Sequence, residues 1–198
     1  MPFVNSPWTR RRWIKTALAG SAGLALARFA GAEGVAAALA ESEAAKPVEQ
    51  RFVELFNTHT NETFGAVFKK GSEFDSAVLT RFNHLLRDHR NDQVHEIDPR
   101  LFDQLHDLAL TAKCEPRFEI ISGYRSPESN GKMSSRPGSG VAKHSLHMQG
   151  RALDIRLKHC NCSDLRNLAL ASKQGGVGYY QRSDFVHIDT GAFRTWTG

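Results

Sequence analysis

The chain has 198 residues, 40% of them hydrophobic, 24% charged and 9% aromatic. This allows one compact domain plus a processed leader and excludes a disordered or fibrous chain. The formal net charge of +5 is modest and sits partly in Arg10, Arg11, Arg12, Lys15 and Arg28. It reads as ordinary solubility charge, with only a weak bias toward an anionic partner such as cell-wall polymer or nucleic acid.

The first segment carries an address. Thr9-Arg10-Arg11-Arg12-Trp13-Ile14-Lys15 opens an apolar, alanine-rich run that continues through Leu26. Paired arginines, an apolar position, a lysine and a mildly apolar stretch are the order of a twin-arginine export signal. Ala38-Leu39-Ala40 supplies a small-residue cleavage site before Glu41, with Ala30-Gly31-Ala32 as the competing one. Arg28 interrupts the apolar run, which argues against a bilayer-spanning helix. Residues 1–40 are therefore expected to be a signal peptide, 41–50 a polar linker and 51–198 the working domain, exported to the periplasm with no stable membrane span after processing.

Within that domain, Arg51–Phe56 and Thr63–Phe68 are short apolar runs flanking a polar turn, the pattern of a β-hairpin. Val78, Leu79, Phe82, Leu85 and Leu86 recur at helical spacing and predict a helix over Ser76–Arg90. Asp98-Pro99 is a helix start, with Asp98 as N-cap, and Leu101, Phe102, Leu105 and Leu108 form the apolar face of that second helix. Phe118–Ser122 reads as a strand. Pro127–Gly140 is rich in Ser, Gly and Pro and reads as a mobile loop. Gly150–Leu157 reads as a strand, Ser163–Ser172 as a capped helix, and Gly176–Tyr180 and Phe185–Ile188 as closing strands. Helices packed on a small, largely antiparallel sheet make this an α+β domain. No internal repeat and no nucleic-acid-binding motif is visible. Cys114, Cys160 and Cys162 are an odd set: one pair could close a disulfide in an oxidising compartment, or all three are incidental. His159 beside Cys160 and Cys162 offers three metal donors without an evident fourth.

The chemistry concentrates near the end. Alternation along 150–157 puts Leu153, Ile155 and Leu157 on one face and Ala152, Asp154 and Arg156 on the other. In the last predicted strand Val186 and Ile188 face inward, leaving Phe185, His187 and Asp189 opposite. If the two strands are neighbours, Asp154 and His187 face one spot, and His147, just before the first strand, can fold over it. Two imidazoles and one carboxylate suit a zinc ion with one position open, the catalytic kind of site. The competing reading is two hydrogen-bonded histidines without a metal.

Ser145-Leu146-His147-Met148-Gln149-Gly150-Arg151-Ala152-Leu153-Asp154 resembles the S-x-H-x-x-G-x-A-x-D motif of the zinc D-alanyl-D-alanine peptidase group. Ser122-Gly123-Tyr124-Arg125-Ser126 looks like its S-G-Y-R-S segment, and Phe185-Val186-His187-Ile188-Asp189 like the segment carrying its third ligand. From about Phe52 onward the likeness is to the twin-arginine-exported murein endopeptidase K (YcbK-like) branch, including Asp98-Pro99, Leu101–Leu105 and Gly175–Tyr180. The resemblance implies the zinc peptidase fold of that group, Zn2+ held by His147, Asp154 and His187, and peptidoglycan stem peptides as partners. It also implies an endopeptidase acting on cross-links between meso-diaminopimelate residues, and secondarily on D-alanyl links.

By the same resemblance Arg125 lies near the metal, binding a substrate carboxylate or stabilising the oxyanion. Asp184 occupies the D/E-x-x-H place of a general base, although a regular strand would put it on the face opposite His187, so the chain must bend there. Ser145 is expected to orient the ligand loop and Asp189 to support His187 from behind. The rivals are a carboxypeptidase or dipeptidase trimming stem peptides, a non-catalytic wall-binding module, and a cytoplasmic metal-binding protein.

Overall fold

The computed structural model describes residues 48–198; the export signal expected at 1–40 and most of the linker fall outside them. Strands β1 (Gln50–Asn57) and β2 (Thr63–Lys70) form the expected hairpin, and a two-residue strand β3 (Glu73–Phe74) extends its edge. Helix α1 (Ser76–Leu85) begins at Asp75, whose carboxylate accepts the backbone N–H groups of Ala77 and Val78. It stops short of the predicted Arg90. The carbonyl of Leu86 is taken instead by the Tyr124 N–H at 2.8 Å, so the last turn is spent on anchoring another segment.

Helix α2 (Arg100–Ala112) starts where Asp98-Pro99 predicts, with Asp98 Oδ1 accepting the Arg100 N–H at 3.1 Å. Strand β4 (Arg117–Ser122) comes next. The segment predicted as a loop from Pro127 to Gly140 begins as a helix, α3 (Pro127–Ser134), with Ser126 as N-cap accepting the Ser129 N–H and Pro127 in the first turn. The Ser-Pro start outweighs the low helix propensity of the residues after it. A 3-10 turn at Leu146–Gln149 leads into β5 (Ala152–Leu157), then α4 (Cys162–Ser172), β6 (Gly176–Tyr180), β7 (Phe185–Asp189) and a short strand β8 (Arg194–Thr197).

One sheet runs β3-β2-β1-β4-β5-β7-β6-β8, so the edge strands β3 and β8 add to the six that the patterning predicts. Only β1–β4 and β6–β8 pair in parallel; the rest is antiparallel. The core lies on one face. Val53, Leu55, Phe118, Ile120, Leu153, Ile155, Val186 and Ile188 pack there with Phe82, Leu101, Phe102, Leu105 and Leu165 from the helices. Burying those side chains is the dominant stabilisation, at roughly 1.5–3 kcal/mol for each large one. No helix among the described residues is long and apolar enough to cross a membrane.

The opposite face of the central strands is left to polar residues, and the register fixes which. Asp154 of β5 pairs directly with His187 of β7, and Leu153 with Ile188 on the core side. The alternation read from the sequence therefore holds, and Asp154 and His187 lie together on that face.

The three cysteines are free thiols. Cys162 is buried with its thiol against the Asp184 carbonyl at 3.3 Å, and burial first, then that neighbour, pushes it up to about 12. A thiol so hard to ionise is a poor metal ligand and nucleophile. Among the described residues the Cys-x-Cys segment forms no metal-binding group.

Candidate metal centre

The 3-10 turn lifts His147 over the sheet. Ser145 caps it, its hydroxyl accepting the His147 N–H at 3.4 Å. Gly150 closes it at φ 63°, and a β-carbon there would run into the Glu96 carbonyl, so both backbone sign and space demand glycine. His147 is then buried, as are Asp154 and His187 beneath it.

The three side chains meet at one point. His147 Nε2 is 3.2 Å from His187 Nδ1 and 3.3 Å from Asp154 Oδ1, and His187 Nδ1 is 2.9 Å from Asp154 Oδ1. The outer ring nitrogens fix the tautomers. His147 Nδ1 lies 2.8 Å from the Gly123 carbonyl, which only accepts, so Nδ1 must carry the proton and Nε2 a lone pair. His187 Nε2 is 3.2 Å from Asp189 Oδ2 and donates to that carboxylate, leaving a lone pair on Nδ1. Two lone pairs and a carboxylate oxygen thus converge at hydrogen-bond distance with no donor between them. Such an arrangement repels itself unless a cation sits at its centre.

The electrostatics say the same. Burial would drive Asp154 upward, but His147 and His187 hold it far below the usual carboxylate range. Burial lowers the His147 pKa, against the pull of Asp154. Burial also disfavours the charged form of His187, yet hydrogen bonds to Asp154 and Asp189 raise it to about 8. Without a metal the cluster draws in a proton; with one, the donor set of two imidazoles and one carboxylate fits a divalent cation with a free coordination position.

Asp189 is fully buried and held in turn by Arg194 Nη2 at 2.6 Å and by the N–H groups of Gly176 and Gly191 at 2.9 and 2.8 Å. It orients His187 from behind, the part such carboxylates take at metal sites.

Arg125 is buried beside the cluster, its Nη2 4.0 Å from Asp154 Oδ2 and 3.2 Å from Ser122 Oγ, its Nη1 3.3 Å from Asn130 Oδ1. Its Nε has no partner. Arg125 lines the same cleft as His147, Asp154 and His187, where the edge of its guanidinium can meet a group that enters. The segment carrying Arg125 is held by close backbone approach: a β-carbon on Gly123 would lie 2.5 Å from the Leu86 carbonyl.

Asp184 does not join this group. It takes a left-handed turn at φ 51°, so the chain does bend, but its side chain is 71% exposed and lies 3.7 Å from Arg156 Nε. It lines a separate depression with Glu119 and Arg156, whereas its neighbours Ser183 and Phe185 face the metal cleft. The D-x-x-H spacing is present without the contact a base needs.

The cleft encloses about 440 Å³. Trp196, which lines the cleft, and Asp88, which ties down its Arg125 segment, escape a motif reading. Trp196 of β8 lies against His187 with ring centroids 5.1 Å apart and donates to the Tyr180 hydroxyl at 3.1 Å. Tyr180 lines the cleft and Tyr179 does not. Asp88 is fully buried and accepts both the N–H and the hydroxyl of Ser126, at 2.9 and 2.8 Å, tying the Arg125 segment to the loop after α1. An acid just past an apolar stripe was the available signal. His89 stacks on His59 with centroids 3.8 Å apart, and burial lowers its pKa to about 4.

The family model described as peptidoglycan L,D-endopeptidase MepK matches residues 44–196. The chain belongs to the MepK family. Peptidoglycan L,D-endopeptidase MepK of Escherichia coli strain K12 is 42% identical over 146 residues, 74% of this chain and 80% of that one. The probable peptidoglycan L,D-endopeptidase MepK of Haemophilus influenzae is 37% identical over 149 residues, 75% and 80% of the two chains. No solved structure matches. Membership makes the chain a MepK-type peptidoglycan endopeptidase, a hydrolase, and this α+β fold is the scaffold that carries its candidate metal site.

For Asp88, burial works against ionisation, but hydrogen bonds from the side chain of Ser129 and the backbone and side chain of Ser126 outweigh it and lower the pKa to about 2. A depressed carboxylate pKa stabilises the fold above the unfolded value, near 3.9, and that contribution fades as pH falls toward 2. Asp88→Asn is therefore expected to be about 2 kcal/mol less stable at pH 7, with the gap narrowing below pH 4. Denaturant melts of both proteins across pH 2–7 check this; a gap constant over that range contradicts the role given to the charge.

Proposed function

We propose that this protein is a zinc-dependent endopeptidase of the periplasm, reached through the twin-arginine pathway. In this reading it hydrolyses cross-links between meso-diaminopimelate residues of peptidoglycan and, secondarily, D-alanyl to meso-diaminopimelate links. The observation that carries the reading is the convergence of His147 Nε2, His187 Nδ1 and Asp154 Oδ1 within hydrogen-bond distance at the floor of a cleft.

These three atoms would hold the ion. When bound, zinc supplies Lewis acidity for a carbonyl oxygen and makes water reactive near neutral pH. The remaining work falls to the chain. Asp189 and the Gly123 carbonyl keep each imidazole in the tautomer that presents a lone pair inward. Arg125 directs the edge of its guanidinium at the charge that develops on the scissile carbonyl oxygen, from a position fixed by Ser122 and Asn130. Trp196 and Tyr180 wall the site on the β8 side and limit water access to the reacting bond.

The test is to incubate the mature protein with purified sacculi, with and without chelator, and to identify the products by mass. Loss of cross-linked dimers that chelator prevents and added zinc restores is the expected result. Loss of terminal alanine alone would instead mean a carboxypeptidase, and no product would mean a wall-binding module.

A further inference from the structure

We infer that Arg90 is a specificity-determining residue of this cleft, reading the free carboxylate on the carbon that bears the scissile nitrogen. The inference rests on the peptidoglycan reading above and deepens it. Arg90 belongs to the loop after α1 that closes on Asp88. The Asp88 N–H donates to the Gln93 carbonyl at 3.0 Å, the Asp92 N–H to the Asp88 carbonyl at 2.8 Å, and the Arg90 N–H to Asp88 Oδ1 at 3.1 Å. Asn91 Nδ2 donates to Ser126 Oγ at 2.9 Å. The backbone of this loop is thus fixed to the segment that carries Arg125.

The guanidinium of Arg90 is little used by the protein itself. Among the described residues its ion pair is one long contact, Nη1 to Asp88 Oδ1 at 3.4 Å, and its side chain stays 36% exposed while lining the cleft with Arg125, His147 and Asp154. Asp88 is already committed to Ser126. Of the other cleft cations, Arg194 holds Asp189 at 2.6 Å, whereas Arg125 meets Asp154 only at 4.0 Å. Burial and then, against the pull of Asp154, the charge of Arg90 hold the Arg125 pKa below its ordinary value. With Asp154 engaged by a divalent ion, the charge facing the cleft is positive throughout, and an anion between the two guanidiniums relieves it.

The substrate chemistry supplies that anion. The side-chain end of meso-diaminopimelate carries an amine and a carboxylate on one carbon. When the amine is acylated in a cross-link, the carboxylate remains free beside the scissile bond. Arg125 is deep, next to the metal ligands; Arg90 is shallower, with its tip open to the cleft. The deep group suits the reacting carbonyl and the shallow one the flanking carboxylate, as a forked, charge-assisted contact.

The experiment uses the zinc-loaded protein and two cross-linked peptides that differ only in that carboxylate, free in one and a carboxamide in the other. For the wild type, kcat/KM is expected to be about tenfold to a hundredfold higher on the free acid, the span of one charged hydrogen-bonding contact. In Arg90→Gln, which keeps the backbone hydrogen bond to Asp88, KM for the free acid rises by that factor, kcat stays within about twofold, and the carboxamide is cut as before. Arg90→Lys recovers part of the difference. Equal rates on both peptides for the wild type, or equal losses on both for Arg90→Gln at unchanged zinc content and melting temperature, overturn the inference. If the wild type cuts neither peptide, the peptidoglycan reading fails first. Calorimetric affinities of the same peptides then decide for Arg90: a preference for the acid that Arg90→Gln removes supports it, and equal affinities sink it.

Discussion

Replacing His147 or His187 with alanine is expected to abolish stoichiometric zinc and lower cleavage by about 10⁴-fold or more, the scale on which removing one member of a catalytic unit disables the whole. Each change deletes one of three inward donors, and the two that remain, one nitrogen and Asp154 Oδ1, cannot hold a tetrahedral ion with an open position. The stability readout separates this from misfolding. Without the ion a proton on His187 pairs with Asp154 Oδ1 at 2.9 Å, so a metal-free variant loses packing and, in His187→Ala, that pair as well. Each metal-free protein therefore sets its own melting baseline, and only the wild type should gain from that baseline on adding zinc. Metal content by mass spectrometry and paired melting curves check the first part, and sacculus digestion the second. A histidine variant that still cuts at the wild-type rate rules out the metal assignment.

Arg125→Ala is expected to keep its zinc and lose about 10²–10³-fold in kcat, the scale of one preorganised donor at a developing oxyanion. The guanidinium lies beyond direct contact with the ligand set, at 4.0 Å from Asp154 Oδ2, so the ion keeps all three donors when it is removed. Arg125→Lys should recover little, because a point charge cannot span Ser122, Asn130 and the cleft at once. Asp184→Asn serves as the contrasting case. Its carboxylate lines another depression beside Arg156, and turnover is expected to stay within a few-fold of wild type. The four enzymes assayed side by side on one cross-linked peptide distinguish a guanidinium at the reacting centre from a spacing without a contact.

The convergence of His147, Asp154 and His187 was legible because three separate signals agreed on it. Period-two alternation put Leu153 and Ile155 inward and Asp154 outward, the same alternation sorted Val186 and Ile188 from His187, and the motif around Gly150 joined His147 to them. Strand geometry is rigid enough that such patterning carries into space. Asp184 shows the limit. Its place in the motif is defined by counting, but the residue sits in a turn, where a φ of 51° sends the side chain to a neighbouring depression. Helix α3 was obscured by its Ser, Gly and Pro content, although Ser126-Pro127 is a proper helix start. Arg90 and Trp196 reach the cleft, and Asp88 ties down the Arg125 segment, through tertiary packing of a loop after α1 and a four-residue strand, which no local pattern encodes.

The direct pairing of Asp154 with His187 ties the ion to the weave of the sheet. Sliding β5 by one position against β7 would turn one of these side chains into the core and leave the other alone outside. Only the native alignment offers a complete nest, so every increment of affinity for the cation also penalises the slipped sheet. An ion held at this site would thus act as a clasp that keeps the two central strands in step, apart from any part in the chemistry.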